Sequence, residues 1–246
     1  MMTTLFFGSF NPPHRGHTAM AEYMLGKGLC QELWFVVSPL NPLKESLLLT
    51  DGCHRLNMTR LVVDGTEDNI AVCDVEFSMP VPSYTIDTLD RLRAIYPERD
   101  FSLLAGGDIL DQFEQWKDFR RILEETPLFI YPRKGMVCNR YPDRITLLKD
   151  APQLEFSSTE VRNAILRGES LSSMLVPQVE AYITDNNLWN YALLRGKRLF
   201  EEGEKHHALN CFLKTLKTDP GNVEAHEYAT ILHEIFEFRN MDIYNV

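Results

Sequence analysis

An apolar run from Thr3 to Phe7 breaks into the loop GSFNPPHRGH, Gly8 to His17. A helical pattern follows from His17, with Met20, Met24 and Leu25 on its apolar side, and a second apolar run, ELWFVV from Glu32 to Val37, stops at Ser-Pro. Strand, glycine-containing loop, helix and strand form a βαβ unit, and parallel strands need such a crossover lying on one face of their sheet. The alternation continues down the chain. Residues 51–64 carry helix signals, 70–75 a strand, and 84–96 a helix with Ile86, Leu89, Leu92 and Ile95 at helical spacing, stopped by Pro97. DFSLLA (100–105) predicts a strand ending in Gly106-Gly107-Asp108; a helix then runs to Glu125, ended by Pro127; PLFIYPR predicts another strand, with ITLLKD and QLEF as shorter ones. The predicted class is α/β, a doubly wound parallel sheet with helices on both faces. Such sheets bind ligands beyond the carboxyl ends of their strands. The Gly8, Gly106 and Arg133 regions all follow predicted strands and are expected to converge on one cleft.

Near residue 190 the pattern changes, and strand signals stop. Residues 191–217 and 222–239 predict two amphipathic helices joined at Asp219-Pro220-Gly221-Asn222. The spacing of Gly203, Ala208, Phe212, Asp219-Pro220 and Ala225 looks like about one and a half tetratricopeptide repeats. A single repeat cannot bury its own apolar face, so this extension is expected to pack on the rest of the chain, on a second copy or on a protein partner. The expected organisation is a body over 1–189 and a helical extension over 190–246.

A net charge of −10 excludes the broad basic surface that nucleic acids and anionic membranes require, but leaves room for a small anion held locally. The five cysteines (Cys30, Cys53, Cys73, Cys138, Cys211) are scattered and form no C-x-x-C pair, which predicts reduced thiols in a cytoplasmic protein, with neither a disulfide framework nor structural zinc. The N-terminus has no basic stretch before its short apolar run, and no window approaches the ~18 apolar residues of a membrane span, so neither a signal peptide nor a span is expected.

The opening loop carries His14 and His17. As metal ligands they lack a third partner at useful spacing. As part of a plain connecting loop they are incidental. As an anion site they explain more residues. Gly8 permits a tight turn at a strand end, Gly16 keeps side chains away from a helix start, and that start offers free N–H groups with partial positive charge. Two imidazoles beside it donate to phosphate oxygens. A second such element lies in FSSTEVR, Phe156 to Arg162: Ser157 and Glu160 make an S-x-x-E capping box, and Arg162 follows Ser158 by one helical turn on the same face.

The H-x-G-H and S-S-T-x-x-R elements, in this order, resemble the two signatures of the nucleotidylyltransferase superfamily. Ser83-Tyr84-Thr85-Ile86-Asp87-Thr88-Leu89 and Gly106-Gly107-Asp108-Ile109-Leu110, followed by Phe113 and Trp116, look like the substrate segments of its nicotinate (nicotinamide) mononucleotide adenylyltransferases. The resemblance covers about residues 3–189, ends with LVPQVEAYITDNNLW, and implies a Rossmann-like sheet. Two departures stand out: Asn11 where many members of the superfamily have Asp, and SPLNPLK (Ser38 to Lys44), which only loosely matches the family's P-P-H-K loop.

Carried onto this sequence, the resemblance implies that His14, His17 and Arg162 act on the ATP phosphates. Gly8, Ser9, Phe10, Gly106, Asp108, Ser157 and Ser158 bind ATP, with Asp108 at the ribose. Tyr84, Thr85 and Trp116 border the pyridine ring, and Lys44 and Arg133 meet the mononucleotide phosphate or carboxylate. The implied reaction joins AMP from ATP to nicotinate mononucleotide and releases pyrophosphate. Mg2+ is held by ATP phosphates and water, without protein ligands. Nicotinamide mononucleotide or phosphopantetheine as acceptor, and a non-catalytic interaction protein working through its tail, are the rival readings. Each of these residues also has a purely structural reading: Phe113 and Trp116, with Ile109, make an i, i+4, i+7 stripe that suits a core helix, Asp108 suits an N-cap, and Lys44 and Arg133 suit solvated charges.

Overall fold

The computed structural model describes residues 1–40, 49–64, 66, 69–132, 141–152 and 157–243. Among these, six parallel strands form one sheet: β1 (Met2–Gly8), β2 (Glu32–Val37), β3 (Ile70–Cys73), β4 (Asp100–Gly106), β5 (Leu128–Tyr131) and β6 (Ile145–Leu147), in the order β3-β2-β1-β4-β5-β6. The first three strands run outward from β1 in one direction and the last three in the other. The order therefore reverses between β1 and β4, the place where a doubly wound sheet opens a crevice.

Neighbouring residues of a strand face opposite sides, and the core divides accordingly. Leu5, Val36, Leu103 and Ile130 pack with Ile86, Leu89 and Leu92 of α3 (Thr85–Ile95) and with Ile122 of α4 (Phe119–Glu125). Phe6, Phe35, Val37 and Leu104 pack with Met20, Ala21 and Met24 of α1 (Arg15–Gly26) and with Leu56 of α2 (Gly52–Val63). The predicted α/β class and doubly wound parallel sheet are thus observed.

Two predicted helices are corrected. The helix expected after Gly106-Gly107-Asp108 and up to Glu125 is two 3-10 turns, Gly107–Asp111 and Phe113–Gln115, followed by the short α4. Trp116 is extended (φ −69°, ψ 141°) and Asp118 left-handed (φ 51°), so the chain leaves helical geometry between Gln115 and Phe119. The helix expected over 191–217 is two, α7 (Tyr191–Glu201) and α8 (Lys205–Thr218), because Gly203 adopts φ +84°. The strand expected at QLEF lies outside the described residues.

The chain divides into two compact units, Met1–Ser158 and Thr159–Val246. The second contains all but the first residue of α5 (Ser158–Leu166), then α6 (Pro177–Asp185), α7, α8 and α9 (Val223–Ile243). Its core is Leu193, Leu199, Ala208, Phe212, Ala225, Ala229 and Leu232. A Cβ on Gly196 of α7 would stand 2.7 Å from the Phe212 ring, so a glycine is what lets α7 and α8 cross closely. Among the described residues no helix is long and apolar enough to cross a membrane.

Candidate active site

Phe6 pairs with Leu104 across β1 and β4, and two residues further on both strands end, in Gly8 and Gly106. The two glycine loops singled out in the sequence are therefore neighbours at the switch point.

Gly8 does its work by size. It is the last residue of β1 and does not have a positive φ; the left-handed residue is Phe10, at φ 46°. A Cβ on Gly8 would lie 2.7 Å from the Phe10 ring. Phe10 is buried against Phe6, Phe35 and His17, which anchors the loop in the core. The expected tight turn at Gly8 is replaced by a glycine seat for an aromatic ring.

His14 is the N-cap of α1 and His17 its third residue, and they cap each other. His14 Nδ1 accepts from the Gly16 N–H at 3.2 Å, and His17 Nδ1 accepts from the His14 N–H at 3.1 Å. The rings lie 3.8 Å apart between centroids, tilted by 31°. A backbone amide only donates, so both Nδ1 atoms are unprotonated in the neutral rings, and Nε2–H is the donor each imidazole presents. The free N–H groups expected here are corrected too: Gly16 N–H is taken by His14, and His17 N–H by the His14 carbonyl at 2.8 Å. Two first-turn amides are therefore spent within the cap itself.

Two residues missed in the sequence hold the strand-end loops. Arg55, fully buried on α2, donates to the carbonyls of Ser9 (2.7 Å), Ser38 (2.7 Å), Pro39 (2.5 Å) and Thr50 (2.8 Å). Burial pulls its pKa down, and Asp51 works against that shift. Asn11 adds a link by accepting from Thr50 N–H at 3.2 Å. The signal for Arg55 was its place on the buried stripe Arg55, Thr59, Val62. Glu76, also buried, accepts from the hydroxyls of Ser83 (2.6 Å) and Thr88 (2.8 Å) and so fixes the start of α3.

That start presents Tyr84 at the N-cap and Thr85 as the first helical residue. Lys117, the residue after Trp116, pairs with Asp87 at 2.8 Å and stands 5.2 Å from the Tyr84 ring centre. Trp116 packs on Phe113 at 5.2 Å between centroids, at the break in helical geometry, and is partly buried. Asp108 is exposed, and its Oδ1 lies 2.5 Å from where a Cβ on Gly106 would be, so its carboxylate folds over the end of β4. Gly106, with no side-chain cap, is the N-cap of that 3-10 turn, and Asp108 is not.

Helix α5 begins at Ser158, which places Ser157 at its N-cap and Glu160 at its third position, as the S-x-x-E pattern predicts. Ser158 Oγ donates to the Pro12 carbonyl at 2.9 Å and joins this motif to the histidine loop. Arg162 donates to Thr159 Oγ1 at 3.1 Å, and burial lowers its pKa. Lys44 and Arg133 lie outside the described residues.

A sheet that reverses at paired glycine ends, with an imidazole pair at one of them, makes this a doubly wound α/β protein of the class that takes its ligand at the switch point. The family model described as cytidylyltransferase-like matches residues 5–164. A probable nicotinate-nucleotide adenylyltransferase of Flavobacterium johnsoniae is 38% identical over 198 residues, covering 77% of this chain and 99% of the relative. One of Porphyromonas gingivalis is 41% identical over 173 residues (70% and 87%), and one of Bacteroides thetaiotaomicron 40% over 189 (75% and 92%). The chain belongs to the cytidylyltransferase-like family and, within it, to the nicotinate-nucleotide adenylyltransferases. The fold agrees: the Plasmodium falciparum nicotinic acid mononucleotide adenylyltransferase complexed with NaAD superposes with a TM-score of 0.67 at 20% identity, over 77% of this chain and 98% of that one.

Proposed function

We propose that this chain transfers AMP from ATP to nicotinate mononucleotide, giving nicotinate adenine dinucleotide and pyrophosphate. The observation that supports the reading is the hydrogen bond from Ser158 Oγ to the Pro12 carbonyl, which ties the first residue of α5 to the histidine loop. The relatives bearing that activity in their names supply the substrate class.

The acceptor's 5′-phosphate is already an anion at neutral pH. One of its oxygens attacks the α-phosphorus of ATP in line, the bond to the bridging oxygen breaks, and pyrophosphate leaves with that electron pair. No proton needs removing, so the work is positioning and charge stabilisation. The Nε2–H groups of His14 and His17 donate to ATP phosphate oxygens, and their Nδ1 contacts keep the rings in that tautomer. Gly8, Ser9 and Phe10 shape the ATP side through a backbone that Arg55 holds. Gly106 and Asp108 take the ribose. Ser157, Ser158 and Arg162 serve the phosphates. Tyr84, Thr85 and Trp116 border the pyridine ring, and Lys44 and Arg133 serve the mononucleotide's anionic groups. Imidazole N–H, hydroxyl and guanidinium suit anionic oxygen and not a cation, so Mg2+ enters as the magnesium complex of ATP, held by phosphates and water.

The boundary at 189/190 separates the family enzyme from a helical, tetratricopeptide-like extension open to a second copy or a protein partner, in a cytoplasmic setting. An acceptor panel tests the central reading. Pyrophosphate release with ATP should be fastest, by kcat/KM, with nicotinate mononucleotide, slower with nicotinamide mononucleotide and absent with phosphopantetheine. Turnover only with phosphopantetheine, or with no acceptor, rejects it.

A further inference from the structure

The extension begins with α7, and one face of α7 is built to hold the end of α5. Helix α5 stops at Leu166 in a turn where Gly168 takes φ +62°, its N–H donating to Ile165 O (2.9 Å) and Glu169 N–H to Ala164 O (3.0 Å). Three successive carbonyls then point outward from this turn, and each has a donor on α7. Tyr191 Oη donates to Glu169 O at 2.9 Å, Arg195 Nη1 to Gly168 O at 3.2 Å and Arg198 Nη1 to Arg167 O at 3.5 Å. Residues 191, 195 and 198 are spaced i, i+4, i+7, which is one side of a helix, and they meet the carbonyls in reverse order.

Further contacts tighten the match. Glu180 Oε1 of α6 lies 3.0 Å from Tyr191 Oη, a second acceptor for its one proton, and the same carboxylate oxygen accepts from the Leu171 N–H at 3.2 Å. A Cβ on Gly168 would collide with the Leu194 carbonyl, so α7 lies directly against the turn. Tyr191 is buried, and two of the donors are cations beside the negative end of the α5 dipole. The opposite side of α7, through Leu193, Gly196 and Leu199, packs in the core it shares with α8.

We propose that α7 is the positioning element of α5, with Tyr191, Arg195 and Arg198 as positioning residues, so that the extension sets the pose of the helix that presents Ser158 and Arg162. This rests on the reading that α5 serves the ATP phosphates. A nine-residue helix is marginal alone and draws its order from packing and its ends. Holding its C-terminal turn steadies its first turn, and events at the extension reach the ATP side by that route.

Full-length Tyr191→Phe and Arg195→Ala test it, with Lys214→Ala as control. Lys214 pairs with Asp185 at 2.7 Å within the same compact unit, a bond other than the three that reach the carbonyls of the α5 turn. Hydrogen exchange is followed over 159–166, and KM is measured for each substrate. Both test variants should speed exchange in α5 about tenfold and raise KM for ATP about fivefold, with KM for nicotinate mononucleotide within about twofold of wild type. The control should do neither. Unchanged α5 exchange in both variants, or both KM values rising together, overturns the proposal. If the wild-type chain releases no pyrophosphate, the function reading fails by itself, while the exchange arm still decides whether α7 holds α5.

Discussion

The two motifs that meet at Ser158 and Pro12 are held in opposite ways. The histidine loop is fixed from beneath. A buried guanidinium takes its Ser9 carbonyl, a buried aromatic ring sits on a glycine, and the two imidazoles cap one helix. Helix α5 is held from behind, at the turn that follows its last residue, by three side chains of α7 that each reach a backbone carbonyl there. The first arrangement is local and closed, since all its parts lie within the first compact unit. The second depends on a segment at the start of the extension. The histidine loop thus takes its order from the sheet end, and α5 takes part of its order from α7.

The sharpest way to break this contrast is at the rings. His17→Ala should lower kcat about 10²–10³-fold, the loss typical of one preorganised donor, with KM for nicotinate mononucleotide little changed. Near-normal turnover would remove the imidazoles from the mechanism. Next comes Arg55→Ala, which strands four carbonyls and should cost about 3 kcal/mol or more, read as the denaturation midpoint. Arg55→Lys should recover little, because an ammonium cannot reproduce the planar fork.

Gly8→Ala drives a methyl into the Phe10 ring and should destabilise by about 1–3 kcal/mol. Pairing it with Phe10→Leu should return part of that loss, whereas purely additive losses would show that the ring is not what the glycine accommodates. Thr88→Val has the smallest expected effect. It removes one of two hydroxyls from Glu76, should cost about 1 kcal/mol, and should raise KM for the mononucleotide more than KM for ATP. An equal rise in both would leave Glu76 as core structure alone.

Much of this was legible in the sequence, for a physical reason. Parallel strands covered on both faces read as apolar runs, so Thr3–Phe7, Glu32–Val37 and DFSLLA stood out, and their alternation with helical spacing gave the doubly wound class. The 107–125 segment misled because 3-10 turns also repeat apolar residues at i+3, and the Phe113–Trp116 spacing does not separate a turn from a helix. Gly203, one of the repeat-spaced positions, divides α7 from α8 through its positive φ, and Gly196 is the close-packing position. Arg55 and Glu76 were passed over because a charged residue in a helix or turn reads as solvated unless its neighbours on the same face are seen to be buried. The histidine cap was hidden for another reason: imidazoles that accept backbone N–H groups look, as letters, the same as imidazoles that leave those groups open.

The central claim is that the histidine loop and Ser158 act on one triphosphate. A double-mutant cycle with His17→Ala and Ser158→Ala, read as kcat/KM for ATP in pyrophosphate release, tests it most directly. Strong coupling is expected, with the double variant losing little more than His17→Ala alone. A double variant whose loss is the simple product of the two single losses would contradict it.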